Sequence, residues 1–118
     1  MKAPQRVVLS ESTTSILRSL TQKTGLSANI LARCAMLISF ENPASPANDG
    51  GKGDLTINRT TLFGELEPFL MSAYTLVAKD SASAAGKEIA NHIARGAGYL
   101  NVRVESIPDF LAVINDLS

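Results

Sequence analysis

Between Arg6 and Ser39 the apolar residues change period, and each change marks an element. Val7, Val8 and Leu9 are consecutive β-formers that stop at Ser10, a residue suited to start a helix. Ile16, Leu17, Leu20 and Thr24 then recur at helical spacing, with Arg18, Gln22 and Lys23 off the stripe. Gly25 can take the left-handed backbone that closes a helix, and Ser27 can cap the next one. Ile30, Leu31, Cys34, Ala35, Leu37 and Ile38 draw a wider apolar face, which predicts a second helix more deeply buried than the first.

The pattern then lapses. Residues 41–53, ENPASPANDGGKG, hold two prolines and three glycines and nothing apolar larger than alanine, which predicts a long, mobile loop. Leu55 and Ile57 alternate with Thr56 and Asn58 as in a short strand with one buried face. Its backbone needs a partner. Either it pairs with Val7–Leu9, or Val7–Leu9 pairs with its copy in a second subunit. Glu65 to Lys79 reads as a third helix, with Pro68 in its first turn and a stripe of Leu66, Phe69, Leu70, Ala73 and Val77. Asp80 to Ala85 is a break of small residues, and Gly86 to Arg95 a helix that ends before Gly96 and Gly98. Tyr99 to Val104 alternates like a strand but also fits an extension of that helix. Ser106 to Asp109 opens a last helix that buries Phe110, Leu111, Ile114 and Leu117. The expected fold is mainly α with a small β component: a strand-helix-helix unit plus additional C-terminal helices, in one domain over residues 1–118.

Composition narrows the class. A chain of 118 residues with 45% hydrophobic and 19% charged residues is globular. No apolar run reaches the ~20 residues of a membrane span, and MKAPQR lacks the apolar block of a secretory signal, so a cytoplasmic location is expected. One cysteine excludes an internal disulfide or a thiolate metal cluster. The net charge of zero hides an asymmetry: Lys2, Arg6, Arg18, Lys23 and Arg33 face Glu11 alone in residues 1–33, whereas ten acidic residues meet six basic ones thereafter. A basic first third suits an anionic partner met by one face.

Little in the chain looks catalytic. No nucleophile cluster or paired carboxylates stand out, and the glycines of 49–53 lack the Lys-Ser/Thr of a phosphate loop, so no enzyme and no cofactor are expected. Cys34 lies on an apolar stripe, where an inert filler is the better reading than a reactive thiol. His92, the only histidine, has no second ligand for a metal and reads as a structural hydrogen-bonding group. Arg59 sits at a strand-to-helix junction, placed to bridge to an acidic group or reach DNA, with the structural use favoured.

Two resemblances add to this. RVVLS, a helix and TGLSANILAR resemble the ribbon-helix-helix DNA-binding motif, in which paired strands enter the major groove and the second helix's N-terminus holds a phosphate. Over nearly the whole length, R-V-x-L-S, T-G-L-x-x-N-I-L-x-R, the E-x-P before the loop, N-R-x-T-L-x-G-E and H-I-x-R-G are similar to the DndE family of the DNA phosphorothioation system. That resemblance implies a non-catalytic, homotetrameric protein that binds duplex DNA with a preference for nicked duplex, beside a cysteine desulfurase, an iron–sulfur protein and an ATPase. It ascribes the DNA contact to basic surface side chains, which here match Arg18, Lys23 and Arg33, with Arg6 and Lys2 as further candidates. The alternatives are a ribbon-helix-helix regulator bound to a palindrome and a scaffold whose basic patch docks an acidic protein.

Overall fold

Val7 and Leu9 point into the core and are almost fully buried, while Arg6 and Val8 face outward. The computed structural model, which describes residues 3–50, 53–78 and 85–116, shows what covers that inner face. Strand β1 (Arg6–Ser10) pairs antiparallel with β2 (Gly53–Asn58), Val7 opposite Ile57 and Leu9 opposite Leu55. The ribbon therefore forms within the chain. The pairing slips between Leu9 and Ser10, so that Ser10 lies opposite Gly53, where a Cβ would stand 2.8 Å from Val8 Cγ1.

Helix α1 (Glu11–Thr24) starts where its pattern predicts, with the Ser10 side chain accepting from Thr13 N, and closes on Gly25 at φ 78°. Helix α2 (Ala28–Phe40) starts on Ser27, whose side chain accepts from Ile30 N. Leu31, Ala32, Ala35 and Met36 are fully buried, so α2 is indeed the deeper helix. Its face is rotated from the expected one, with Ile30 exposed and Cys34 and Leu37 only half-buried.

The expected third helix is divided. After α3 (Arg59–Leu62), Gly64 turns the chain at φ 55° and Gly64–Leu66 forms one tight 3-10 turn. Helix α4 (Glu67–Val77) follows, with proline in its first turn. Leu70, Met71 and Tyr74 are its buried residues, whereas Leu66 and Phe69 are exposed. The small-residue break at Asp80 to Ala85 lies outside the described residues up to its last member, as do Lys79, Lys2 and Leu117.

Helix α5 (Ala85–Arg103) is the correction that matters most. It runs straight through Gly96 and Gly98 and takes in most of the ambiguous YLNVRV segment. Gly96 is there for packing: a Cβ would fall 1.8 Å from Ala35 O of α2. Two backbones meet at this point, and α5 becomes the axis against which α2, α1 and β1 pack. Helix α6 (Ile107–Asp116) closes the fold, with Phe110 buried and Leu111 exposed against expectation.

The loop after α2 is pinned at residues 42–49. Asp49 Oδ2 accepts from Ser10 N at 3.1 Å, and Oδ1 accepts from Ser10 Oγ at 2.7 Å and Thr13 Oγ1 at 3.1 Å. Asp49 N donates to Asn91 Oδ1 at 2.7 Å. A carboxylate thus sits on the N-terminus of α1, joining loop, sheet and α5.

Candidate nucleic-acid interface

The basic side chains sort by what they touch. Arg18 leaves α1 with its side chain 72% exposed and only a loose 3.9 Å approach to Asp54. Lys23, in the last turn of α1, meets Glu105 at 3.5 Å. Exposed pairs of this kind contribute little and exchange readily. Arg6 projects from the outward face of β1 and has no side-chain partner among the described residues.

Arg33 differs. Its Nε donates to Leu62 O and its Nη2 to Thr61 O at 3.1 Å, tying α2 to the end of α3 and lying under Gly64. Four predicted contacts therefore fall into three situations: Arg18 and Lys23 in weak surface pairs on α1, Arg6 open on β1, and Arg33 anchored on backbone carbonyls. They do not share a cleft. Arg18 lines a shallow hollow with Thr14, Thr21, Gln22 and Leu55, while Arg6 lines another with residues of α5.

The other candidates resolve structurally. Arg59 lies 3.8 Å from Glu67, the acidic bridge expected at that junction. His92 is buried beside Ser39, with Nδ1 2.8 Å from Ser39 Oγ and its ring edge-on to Phe40 at 4.8 Å. Arg95 Nε donates to the same Oγ, and its Nη groups donate to Ser39 O, Asn42 O and Ala44 O, gripping the C-terminus of α2. Ser39 Oγ thus joins His92 to Arg95, and the direction of its hydrogen bond with Nδ1 is set by the ring tautomer. Nε2 has no hydrogen-bond partner. Burial, helped by the Arg95 charge, pushes the His92 pKa down to about 4. Ser39 is 2% exposed, so its hydroxyl serves as a joint and is closed to substrate.

Cys34 is half-buried, and burial pushes its thiol pKa up despite the neighbouring Arg33. It lines an apolar groove of about 480 Å³ between α2, α4 and α6, with Leu37, Phe69, Leu76, Val77 and Ile114. Leu76 is 86% exposed and Phe69 58%, the two most exposed apolar side chains along this groove. Among the described residues no helix is long and apolar enough to cross a membrane.

Both the sequence and the fold of this chain are similar to those of known proteins. The model of the DNA sulphur modification protein DndE matches residues 6–107. The chain belongs to the DndE family. Its fold is similar to a crystal structure of DndE from Escherichia coli B7A involved in DNA phosphorothioation modification, at 28% identity and a TM-score of 0.73, covering 85% of this chain and 99% of that one. A glycine-to-lysine mutant of DndE, also involved in DNA phosphorothioation, is similar at 25% identity and a TM-score of 0.69, covering 84% and 98%. Among curated proteins none matches.

Within the DndE framework, one exposed cation was missed by sequence reasoning. Lys87, in the first turn of α5, has no ion-pair partner among the described residues and lines the same hollow as Arg6. It lies outside the basic first third, so charge counting along the chain passes over it. Only the packing of α5 against β1 brings the two together.

Proposed function

We propose that this chain is a non-catalytic, DNA-binding subunit of the phosphorothioation machinery that grips the duplex backbone through basic side chains. The observation that carries the reading is the set of loosely held cations on α1 and β1, read with membership of the DndE family. Arg18 and Lys23 exchange a weak carboxylate for phosphate at little cost, and Arg6 has no such bond to break. Arg33 has the least to give, since two of its nitrogens hold carbonyls. Contacts of this type fix position and carry no base information. A nick lowers the cost of bending the duplex, which favours nicked DNA without base readout.

The working form is a homotetramer, in which copies multiply a patch too weak alone. The apolar groove of Leu37, Phe69, Leu76 and Ile114 is where a second copy is placed, because burying it removes the largest exposed side chains of α4 from water. The cytoplasm is the compartment, alongside the cysteine desulfurase, iron–sulfur protein and ATPase that handle the sulfur. A regulator reading would need β1 to pair between subunits, and β2 already occupies one of its two edges.

The test combines binding and mass. Alanine at Arg18, Lys23 and Arg33 together should weaken binding to intact and nicked duplexes at ~50 mM salt, and wild-type affinity should fall steeply by ~200 mM. Unchanged binding in the triple variant removes the patch. Light scattering that returns a monomer with and without nicked duplex removes the tetramer.

A further inference from the structure

The outward face of β1 and the first two turns of α5 enclose a cleft of about 330 Å³, lined by Arg6, Val8 and Ser10 on one side and Gly86, Lys87 and Asn91 on the other. Its construction follows from two periodicities. Arg6, Val8 and Ser10 alternate along a strand and so share a face, while residues 86, 87, 90 and 91 fall one turn apart on a helix. Gly86 allows the approach, since a Cβ there would come to 3.3 Å from Arg6 O.

What distinguishes this cleft is the state of its charges. Arg18, Lys23 and Arg59 approach carboxylates. Arg33 and Arg95 hold carbonyls, and Arg103 lies over the Tyr99 ring at 3.6 Å while donating to Tyr99 O. Among the described residues, Arg6 and Lys87 are the two basic side chains with neither carboxylate nor carbonyl, and they line one hollow. Asp49 also lines it, but its oxygens already accept from Ser10 N, Ser10 Oγ and Thr13 Oγ1. Glu88, next to Lys87, has Oε2 accepting from Tyr74 at 3.0 Å. Neither Arg6 nor Lys87 is in ion-pair reach of a carboxylate among the described residues, and with the single Asp49 carboxylate the lining keeps a net charge of one positive.

We infer that this cleft is a phosphate-binding site, held by Arg6 and Lys87, and that its ligand is a backbone phosphate of the bound DNA. The inference rests on the DNA-binding reading and deepens it, placing a grip on α5 and β1 apart from the α1 patch. Arginine offers a planar fork to phosphate oxygens and lysine a point charge, a pairing suited to a phosphodiester and indifferent to base. A cleft at the small end of ligand pockets admits such a group without admitting a base stack.

The test measures duplex affinity by fluorescence anisotropy across a salt series for wild type, Arg6→Ala/Lys87→Ala and the conservative Arg6→Lys/Lys87→Arg. In parallel, inorganic phosphate is titrated into labelled protein with amide shifts read at Arg6, Ser10, Lys87 and Asn91. The inference expects the double alanine variant to lose about tenfold in affinity at low salt and to lower the salt slope by about 1, one phosphate's worth. The conservative variant should retain most of the binding. Wild-type affinity and slope in the alanine variant, with phosphate shifts still at these amides, would reject DNA and leave a small-anion site. Unchanged DNA binding with no phosphate shifts overturns the inference altogether. A wild type that binds no duplex at low salt ends the DNA-binding reading instead, and the phosphate titration then decides the cleft by itself.

Discussion

Gly96 and Gly98 stand two residues apart on one helix and should respond to alanine in opposite directions. At Gly96 an added Cβ would lie 1.8 Å from Ala35 O, 2.4 Å from Ala35 C and 2.6 Å from Ala35 Cα, all backbone of α2. No side chain can swing away, so the two helices must part by more than an ångström, opening gaps around neighbours such as Ala32, Met36 and Ile93, all fully buried. Overpacking alone costs about 1–3 kcal/mol, and a rigid backbone obstacle belongs at the top of that range. Against it stands the gain of about 1 kcal/mol from replacing glycine by alanine inside a helix. Gly96→Ala should therefore lose about 2 kcal/mol net. At Gly98 a Cβ meets nothing within 4 Å, so only the helical gain remains, and Gly98→Ala should add about 0.5–1 kcal/mol. Urea unfolding followed by far-UV circular dichroism, at one protein concentration because association shifts the midpoint, would separate them. A Gly96→Ala midpoint equal to or above that of Gly98→Ala would refute the α2–α5 crossing described above.

Three further outcomes follow from the buried polar groups. His92 is the sole histidine, so its NMR titration is unambiguous; it should titrate near 4, and since the folded pKa lies below the unfolded ~6.5, stability should be whole above that value and fall by on the order of 3 kcal/mol as pH drops towards 4, a loss that His92→Gln should flatten. Asp49→Ala should cost about 1–3 kcal/mol, because Ser10 N, Ser10 Oγ and Thr13 Oγ1 lose their acceptor together, and an unchanged thermal midpoint would contradict the pinned loop. Cys34 should alkylate more slowly in the folded protein than after urea unfolding, because burial raises its thiol pKa; equal rates would reopen a reactive-thiol reading.

How much of this was legible in the sequence depends on whether the cause was local. Ser10, Gly25 and Ser27 act within a few residues of themselves, and the limits of α1 and the start of α2 are where their patterns place them. The β1–β2 pairing stood as one of two options, and the inward Val7, Leu9 and Ile57 agree with it. Gly96 misled because a glycine that ends a helix and one that admits a neighbouring helix look alike until the neighbour is known. Phe69 and Leu66 misled in a similar way: Gly64 turns the chain before α4, and the buried face shifts to Leu70, Met71 and Tyr74. Asp49 and Lys87 were invisible as site residues because their partners, Ser10 and Arg6, lie far away along the chain. The charge imbalance of the first third was readable at once, but which of its cations were uncommitted was a matter of packing.

That last distinction sets the strength of any DNA contact. Arg33 and Arg95 are held by carbonyls and Arg103 by a ring, so they serve the fold first, whereas Arg59 at 3.8 Å from Glu67 is paired no more tightly than Arg18 or Lys23. Among the described residues, each chain then offers Arg6 and Lys87 outright and Arg18, Lys23 and Arg59 in exchange for weak pairs. If Arg6 and Lys87 shared one phosphate and Arg18, Lys23 and Arg59 met one each, these residues would give one chain a slope of log affinity against log salt of about −3.6 on B-DNA. Two chains double that value to about −7, so a slope approaching it requires a second chain on the duplex. Leu76→Glu places a charge in the apolar groove on an 86% exposed side chain, so the subunit fold is untouched while association through that groove is not. Wild type should show the steeper slope and the larger mass, and Leu76→Glu the shallow slope of one chain and a lower affinity. If the variant is a monomer by light scattering yet keeps the steep slope, the cations of one chain suffice, and the reasoning that assigns the grip to several copies fails.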